Sequence, residues 1–177
     1  VIDPGCADTT TGIVSILADF QPDFTWTIDS CDNTVTFNDT SNSISGTTST
    51  RKWTFGDGNA STLADPVHSY ANPGTYTVQL IAASSRGCID TIRKQITLAP
   101  LLDLQIQSTV PVRCNGECNG VSTAVAVNGL VPYSYQWDDP LQQQGNQADS
   151  LCIGTYEVHV VDQRGCIDSA TIIITQP

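Results

Sequence analysis

Two stretches that recur in the same order indicate the fold of this chain. Residues 73–78 read PGTYTV and are followed by RGCID at residues 86–90, while residues 153–158 read IGTYEV and are followed by RGCID at residues 164–168. In each pair a turn leads into a strand that carries Tyr and Val on one face, and a second turn leads to the next strand. Because the order is kept and only the intervening loop differs in length, the sequence predicts two homologous modules.

The tetrapeptide Gly-Cys-x-Asp inside this repeat occurs a third time, at Gly5–Asp8. If it opens the last strand of every module, residues 1–16 are the last strand of a preceding, incomplete module. The complete modules then span residues 17–100 and 101–177. Pro100 lies in the short joint between them, and because proline cannot donate to a strand ladder and restricts the backbone, we expect a stiff connection.

Both modules consist of short alternations of apolar and polar residues, separated by turn-forming Asn, Asp, Ser, Pro and Gly. A period of two residues is typical of strands with one buried face, and no helical period is present. The sequence therefore predicts an all-β fold of tandem immunoglobulin-like β-sandwich modules, Greek-key type, stapled by disulfides. Trp26, Trp53 and Trp137 are all expected in the cores.

The net charge and the lack of long apolar runs argue against a nucleic acid partner and against a membrane span. The chain has 18 acidic and 7 basic residues and a net charge of −11. Such a charge repels nucleic acid phosphates and anionic membrane surfaces. No apolar run approaches the roughly 18 residues that a spanning helix needs. We expect no nucleic acid partner and no membrane span.

Cysteine usage indicates the compartment. The chain contains 7 cysteines and no methionine, and reducing compartments rarely accumulate thiols without a metal. An extracellular or bacterial cell-surface location is therefore expected. A zinc site at Cys114 and Cys118 is the alternative, but the three-residue gap and the lack of a second close pair of ligands argue against it.

Catalysis is not expected. His68 and His159 belong to different modules, and neither has a nucleophile partner or a strained nucleophile turn nearby in the sequence. We predict no enzyme, no catalytic residue and no firm cofactor.

The first module carries a recognisable signature. Residues 53–58 (WTFGDG), 66–70 (PVHSY) and 73–78 (PGTYTV) closely resemble the signature of PKD (polycystic kidney disease) domains. The resemblance covers residues 17–100.

The second module is similar to a different family, the SprB-type adhesin repeat, over about residues 108–177. The residues that carry this resemblance are 114–116 (CNG), 132–137 (PYSYQW), 151–156 (LCIGTY) and 162–166 (DQRGC). Proteins that combine the two modules are similar to the giant surface adhesins of gliding bacteria, which are exported by type IX secretion. The resemblance implies a role in adhesion, gliding motility or filament formation.

The predicted function is thus a non-catalytic structural or adhesive repeat segment of a large extracellular or cell-surface bacterial protein. Its expected partners are neighbouring repeats of the same chain, other subunits of a filament, or surface glycans. The alternative is a carbohydrate-binding accessory module of a secreted hydrolase. That alternative needs an exposed aromatic platform, which three core tryptophans would not supply.

The first module contains only Cys31 and Cys88, so the sequence allows one internal bridge there, and we expect Cys31–Cys88. Closing so long a loop would stabilise a small domain. Cys6, the earliest of the tetrapeptide cysteines, is expected to pair outside this segment.

The second module contains Cys114, Cys118, Cys152 and Cys166, which can pair in three ways. Analogy with the first module favours Cys114–Cys166 and leaves Cys118–Cys152 as an additional bridge, although the sequence alone does not decide between the pairings.

Five aspartates are candidate calcium ligands, because the PKD resemblance implies that such modules can bind this cation. They are Asp39, Asp57, Asp65, Asp138 and Asp139. The chain lacks a dense EF-hand type of loop. The alternative interpretation is that these carboxylates accept backbone N–H bonds and hold turns.

Four hydroxyl residues follow an aspartate in stretches that resemble the Asp-Ser/Thr-apolar acceptor pattern used for O-glycosylation by the bacteria that carry these adhesins. They are Thr9, Thr91, Ser150 and Ser169. The alternative interpretation is that they are outward strand residues with high β propensity.

Overall fold

The computed structural model describes residues 20–43, 46–114 and 116–176. The predicted strand at residues 1–16, with Cys6 and Thr9, lies outside the described residues. Every regular element that is described is a β-strand, which confirms the all-β class. No helix long and apolar enough to cross a membrane occurs in the described part of the chain.

The first nine strands pack as two sheets with a short additional pair. One sheet has the order β2-β3-β7 and the other β6-β5-β8-β9, while β1 pairs with β4. Because β7 and β8 follow each other in the chain but belong to different sheets, the connection crosses the sandwich in Greek-key fashion. The strands are β1 (Phe20–Gln21), β2 (Phe24–Asp29), β3 (Thr34–Asp39), β4 (Asn42–Ser43), β5 (Thr48–Thr54), β6 (Ala60–Ser61), β7 (Val67–Ser69), β8 (Gly74–Ser84) and β9 (Ile89–Leu98).

The remaining strands repeat this arrangement. One sheet has the order β10-β11-β13 and the other β12-β14-β15. Thus β10, β11 and β13 take the places of β2, β3 and β7, while β12, β14 and β15 take those of β5, β8 and β9. The strands are β10 (Asp103–Val110), β11 (Gly120–Val127), β12 (Ser134–Trp137), β13 (Gln147–Leu151), β14 (Gly154–Val161) and β15 (Ile167–Ile174).

The first core is aromatic. Trp53 is fully buried, with ring centroids of Phe24 and Phe37 at 5.2 and 5.6 Å. Its indole N–H donates to the carbonyl of Leu63 at 2.9 Å, so burial leaves no unpaired donor. Trp26, predicted in the core, is only partly buried at its edge.

The second core uses the same central residue. Trp137 is fully buried, and its indole N–H donates to the carbonyl of Gly145 at 3.0 Å. Around it the core is aliphatic, because strands β11, β14 and β15 direct alternate Ala, Val and Ile side chains inward. The two cores are separate clusters, one for each predicted module.

The repeated Gly-Thr-Tyr has a structural explanation. The hydroxyl of Tyr76 donates to the carbonyl of Asn72 at 2.9 Å, and that of Tyr156 donates to the carbonyl of Cys152 at 3.2 Å. Each tyrosine therefore ties the start of its strand to the preceding corner, as in other immunoglobulin-like sandwiches.

The predicted bridge Cys31–Cys88 is wrong, and Cys31 instead forms a disulfide with Cys166. Cys31 lies in the turn between β2 and β3, beside Tyr70, whose N–H donates to the carbonyl of Asn33 at 3.2 Å. Cys88 lies beyond the other end of β8, which has 11 residues and is therefore roughly 35 Å long. Cysteines whose Cα atoms are more than about 7 Å apart cannot be bridged.

The predicted bridge Cys114–Cys166 is wrong for the same reason. Cys114 lies in the loop after β10, near the C-terminal end of β15, since the N–H of Val112 donates to the carbonyl of Thr175 at 3.1 Å. Cys166 lies just before β15, whose 8 residues span roughly 25 Å. The other pair named from the sequence, Cys118–Cys152, is a disulfide in the structure.

Candidate functional site

The covalent link between the two modules is the most distinctive site of the molecule. Cys31 belongs to the first module and Cys166 to the second, and their disulfide has a Cα–Cα distance of 5.1 Å. Only residues 99–102 connect β9 with β10 along the chain. The modules are therefore joined twice, once by the polypeptide and once by the disulfide.

The hairpin between β14 and β15 positions Cys166. Gly165 adopts a φ of +87°, a left-handed conformation that glycine tolerates without steric cost. The N–H of Gly165 donates to the carbonyl of Asp162, and the N–H of Asp162 donates to the carbonyl of Cys166, both at 3.0 Å. This tight turn places Cys166 immediately before the first residue of β15.

Asp162 is the central acceptor of this hairpin and is buried. Its carboxylate accepts the N–H groups of Leu130, Arg164 and Cys166 at 2.8 to 3.0 Å. The N–H of Leu130 lowers the pKa of this carboxyl, burial acts in the opposite direction, and the N–H groups of Cys166 and Arg164 lower the pKa further. The net pKa lies below the ordinary aspartate value, so Asp162 is ionised at neutral pH.

Asp162 is not among the site residues predicted from the sequence. An aspartate three residues before a glycine is a known turn signal, and Asp162 and Gly165 have this spacing. The sequence therefore indicates a turn at Asp162, but it does not indicate that the Asp162 carboxylate also accepts the N–H of Leu130.

The turn that presents Cys31 is held by two aspartates. The carboxylate of Asp29 accepts the N–H of Cys31 at 2.9 Å, and that of Asp32 accepts the N–H of Thr34 at 2.8 Å. Asn33 adopts a φ of +57°, which asparagine tolerates better than most residues. The turn is therefore fixed by its own side chains.

A polar cleft of about 630 Å³ lies beside the disulfide. The first module contributes residues 27–32 with Thr34 and Thr36, and the second module contributes Arg164. Hydroxyls, carboxylates and one guanidinium line it, so its walls can hydrogen bond to a polar group but offer little apolar area.

The predicted calcium candidates of the first module are already occupied as acceptors. Asp39 pairs with Arg51, and its other carboxylate oxygen accepts the N–H of Ser41 at 2.8 Å. Asp65 accepts the N–H of Asp39 at 2.8 Å. The Asp65 carboxylate thus contacts the backbone of Asp39, and both aspartates stabilise the loops around β3.

Asp57 has a separate set of contacts. Its carboxylate accepts the backbone and side-chain N–H groups of Asn59, both at 3.0 Å, and lies 2.7 Å from Nε2 of His68. Burial raises the pKa of Asp57, but the hydrogen bonds from Asn59 and His68 outweigh burial, and the net pKa is lowered. The His68 ring stacks on Phe55 at 4.2 Å. The WTFGDG and PVHSY stretches therefore meet in one structural cluster.

The candidates of the second module also hold loops. Asp138 accepts the N–H of Glu157 at 2.7 Å. Asp139 is buried and accepts the N–H groups of Leu141 and Gln143, at 3.0 and 2.8 Å. Burial raises the pKa of Asp139, and the hydrogen bonds from Gln143 and Leu141 outweigh that effect, so the net pKa is lowered.

Within residues 20–43, 46–114 and 116–176 no three His, Cys, Asp or Glu side chains lie together in a way that could hold a metal ion. The five aspartates are not brought to a common site.

The predicted glycosylation residues are placed as follows. Ser150 and Ser169 are exposed, and Thr91 is half-buried on β9. The N–H groups of Thr91 and Ser169 each donate to the preceding aspartate, Asp90 and Asp168, at 2.7 and 2.9 Å. The two Asp-hydroxyl pairs at the starts of β9 and β15 thus share one local geometry.

The first module matches a known family. Residues 21–99 match the family model described as PKD domain, which confirms the PKD resemblance of that module. The SprB-type resemblance of the second module stays a prediction.

Individual proteins match over shorter or more distant ranges. A segment of 35 residues is 57% identical to collagenase ColA of Bacillus cereus, and it makes up 20% of this chain and 4% of that collagenase. The PKD1 domain of Vibrio anguillarum Epp is 25% identical with a TM-score of 0.42, and the alignment covers 45% of this chain and 92% of that domain. The PKD1 domain of Vibrio cholerae metalloprotease PrtV is 30% identical with a TM-score of 0.41, covering 44% and 93%.

Proposed function

We propose that this chain is a non-catalytic structural segment of a large extracellular or cell-surface bacterial protein, in which two immunoglobulin-like modules are locked together as a fixed pair. The observation that carries the proposal is the Cys31–Cys166 disulfide. A bridge inside one module would stabilise that module, whereas a bridge between modules fixes their relative orientation. A segment that acts as a spacer or transmits force needs a fixed relative orientation of its modules.

Several further observations support a secreted spacer. Disulfides persist in oxidising compartments, and the described residues contain two. The PKD match covers the first module. The carboxylates of Asp57, Asp139 and Asp162 accept backbone N–H groups of neighbouring loop residues and so hold turns.

The adhesive role is the finer part of the proposal. It rests on the SprB-type resemblance of the second module, which implies attachment, gliding or a filament together with type IX secretion. Exposed Ser150 and Ser169 are accessible for glycosylation. Neighbouring repeats, filament subunits and surface glycans are the proposed partners.

The fixed-pair proposal can be tested by residual dipolar couplings of the oxidised chain in a weakly aligning medium. We expect the amides of both modules to fit one alignment tensor. The double variant Cys31→Ser/Cys166→Ser should give two different tensors, because the four-residue joint then permits independent motion. The matched control is Cys88→Ser/Cys114→Ser, which removes two unbridged thiols and should retain one tensor. Two tensors in the unaltered oxidised chain would contradict the proposal.

An accessory module of a secreted hydrolase is the second candidate. The match with a segment of a collagenase favours it, and Trp26 is the tryptophan that lies partly at the surface. Glycan-array and collagen-binding measurements on the chain would decide. Binding that is lost in Trp26→Ala and kept in the control Leu63→Ala would support this function, and absence of binding in the unaltered chain would exclude it.

A further inference from the structure

The two unpaired cysteines of the described residues, Cys88 and Cys114, occupy positions equivalent to those of Cys166 and Cys31, which form the bridge between the modules. Cys31 and Cys114 both lie in the loop between the first two long strands of their module, and we call them first-hairpin cysteines. Cys88 and Cys166 both lie in the last hairpin, directly before the final strand, and we call them last-hairpin cysteines. The observed bridge joins a first-hairpin cysteine to the last-hairpin cysteine of the following module.

The last hairpins agree in detail. Gly87 has a φ of +85°, and its N–H donates to the carbonyl of Ser84 at 2.9 Å. The N–H of Ser84 donates to the carbonyl of Cys88 at 2.8 Å, and the N–H of Cys88 is 3.2 Å from the Ser84 hydroxyl. Each contact has its counterpart around Cys166, with Asp162 in the place of Ser84. The backbone therefore presents Cys88 as it presents Cys166.

The two kinds of cysteine lie at opposite ends of a module. Cys166 is at the N-terminal end, because the N–H of Leu104, at the start of β10, donates to Asp168 at 2.7 Å. Cys114 is at the C-terminal end, beside the contact of Val112 with Thr175.

The first module has the same polarity. Near its N-terminal end β1 pairs with β4, and the N–H of Ser85 donates to the carbonyl of Thr47, which shortly follows β4, at 2.8 Å. That contact places the hairpin of Cys88 at this end. Cys31 lies at the other end, where β8 begins and β9 finishes with the pair Gly74 and Leu98. Each module thus carries one linking cysteine at each end.

Exposure differs between the two last-hairpin cysteines. Cys166 is buried, with 4% of its surface exposed, while its counterpart Cys88 is exposed. The two first-hairpin cysteines, the bridged Cys31 and the unbridged Cys114, are both exposed. The unit of two modules therefore presents a last-hairpin thiol at its N-terminal end and a first-hairpin thiol at its C-terminal end.

We infer that Cys88 and Cys114 are the two halves of further disulfides between modules. Cys88 forms a disulfide with the first-hairpin cysteine of a module on the N-terminal side. Cys114 forms a disulfide with the last-hairpin cysteine of a module on the C-terminal side. The partner module belongs to a neighbouring repeat of the same polypeptide or to a second copy of this chain. This inference rests on the proposed role as a structural segment, because it extends one fixed pair into a continuous covalent series.

The chemistry is a thiol–disulfide exchange with a disulfide oxidant, either a thiol–disulfide oxidoreductase or a low-molecular-weight disulfide. The Cys88 thiolate attacks one sulfur of the oxidant and releases one thiol. The thiolate of the first-hairpin cysteine then attacks the mixed disulfide and releases the second thiol. Two protein thiols are oxidised to one disulfide, and the oxidant is reduced to two thiols.

The first arm of the test uses this chain with Cys6→Ser, at high protein concentration, with oxidised glutathione. We expect disulfide-linked dimers and longer oligomers on a non-reducing gel, because a head-to-tail contact does not close on itself. Peptide mapping should find Cys88–Cys114 in about nine-tenths of the links between copies, whereas random pairing of two equally reactive thiols would give about half. Such a random distribution would overturn pairing between copies.

Matched variants sharpen this arm. Cys88→Ser and Cys114→Ser, each alone in the Cys6→Ser background, should give no oligomer beyond a dimer. Mixing them in equal amounts should restore the Cys88–Cys114 link. Failure to restore it would overturn the pairing between copies, and both variants keep the Cys31–Cys166 bridge on which the proposed function depends.

The second arm maps disulfides, without reduction, in protein exported by the native host. A link from Cys88 to a first-hairpin cysteine supports the inference, and the mass on a non-reducing gel distinguishes the sources. The mass of one polypeptide indicates neighbouring repeats, and a multiple of it indicates separate copies. Recovery of Cys88 and Cys114 as free, alkylatable thiols from native material would overturn the inference and leave the fixed-pair proposal standing.

Discussion

The hairpins at residues 84–89 and 162–167 have the same backbone conformation, but their cysteines differ in disulfide bonding. Both place a cysteine after a glycine with positive φ, and both close the turn with the same pair of backbone hydrogen bonds. Only Cys166 is bridged, to Cys31 of the preceding module. The comparison shows that local sequence fixes where the cysteine points, while the neighbouring module determines what it binds.

The largest effect on stability should come from replacing the central tryptophans, which are the feature that the two cores share. Replacing Trp53 or Trp137 with alanine should each cost about 3 to 5 kcal/mol in the free energy of unfolding, because both are fully buried. The loss should be confined to the module that carries the change. Urea unfolding followed by amide resonances of each module checks this, and equal loss in both modules would break the picture of two separate cores.

The next largest loss of stability should be confined to the second module. Cys118→Ser/Cys152→Ser removes a bridge with a sequence separation of 34, for which chain entropy gives about 4 kcal/mol. No counterpart exists among the described residues of the first module, so only the second should lose stability. Differential scanning calorimetry of this variant should show one lowered transition. A control is Cys88→Ser, which should leave both transitions unchanged.

A smaller effect should separate the two hairpins. Ser84→Ala removes one acceptor from the N–H of Cys88 and should cost about 1 kcal/mol, because Ser84 is buried but the donor that loses its partner belongs to an exposed residue. Asp162→Ala removes the acceptor of three backbone N–H groups and should lower the melting temperature of the second module by more than Ser84→Ala lowers that of the first. Asp162→Ser, which imitates the first module, should recover part of the loss. An unaltered melting temperature in Asp162→Ala would contradict the assigned role of this carboxylate.

The smallest effect should appear as a pH dependence. The pKa values of Asp57 and Asp139 are lowered in the folded chain, so unfolded carboxyls bind protons at a higher pH than folded ones. The resulting stability is complete above the ordinary aspartate pKa of about 3.9 and is lost as the pH falls through the folded values. Melting temperatures should be level from pH 7 to 5 and fall below about pH 4. Asp139→Asn should make this fall shallower in the second module, where the lowered pKa of Asp162 still contributes, and should leave the first module unchanged. A steady decline already between pH 7 and 5 would contradict the assignment.

The strand class and several individual strands followed from the sequence because they depend on local pattern. The alternation in residues 74–80 and 154–160 becomes β8 and β14, and Ile89 and Ile167 after the cysteines begin the last strands. The core tryptophans Trp53 and Trp137 also followed from alternation. Trp26 did not, because alternation identifies a face but not how near the sheet edge it lies.

The cysteine pairing did not follow from the sequence. The count of cysteines in residues 17–100 suggested an internal bridge between Cys31 and Cys88, but counting says nothing about which end of a sandwich each turn occupies. The register of β3 with β7 and of β8 with β9 puts the two cysteines at opposite ends. Sheet register depends on contacts between distant residues, and the sequence pattern alone leaves it open.

The Cys31–Cys166 bridge crosses the joint between the modules. Disulfide mapping of the oxidised, unreduced chain tests this pairing most directly. After blocking free thiols and digesting with pepsin, we expect the peptide with Cys31 to be linked to the peptide with Cys166, and Cys118 to Cys152. Recovery of Cys31 linked to Cys88 and of Cys114 linked to Cys166 would contradict the account, because each module would then be closed on itself.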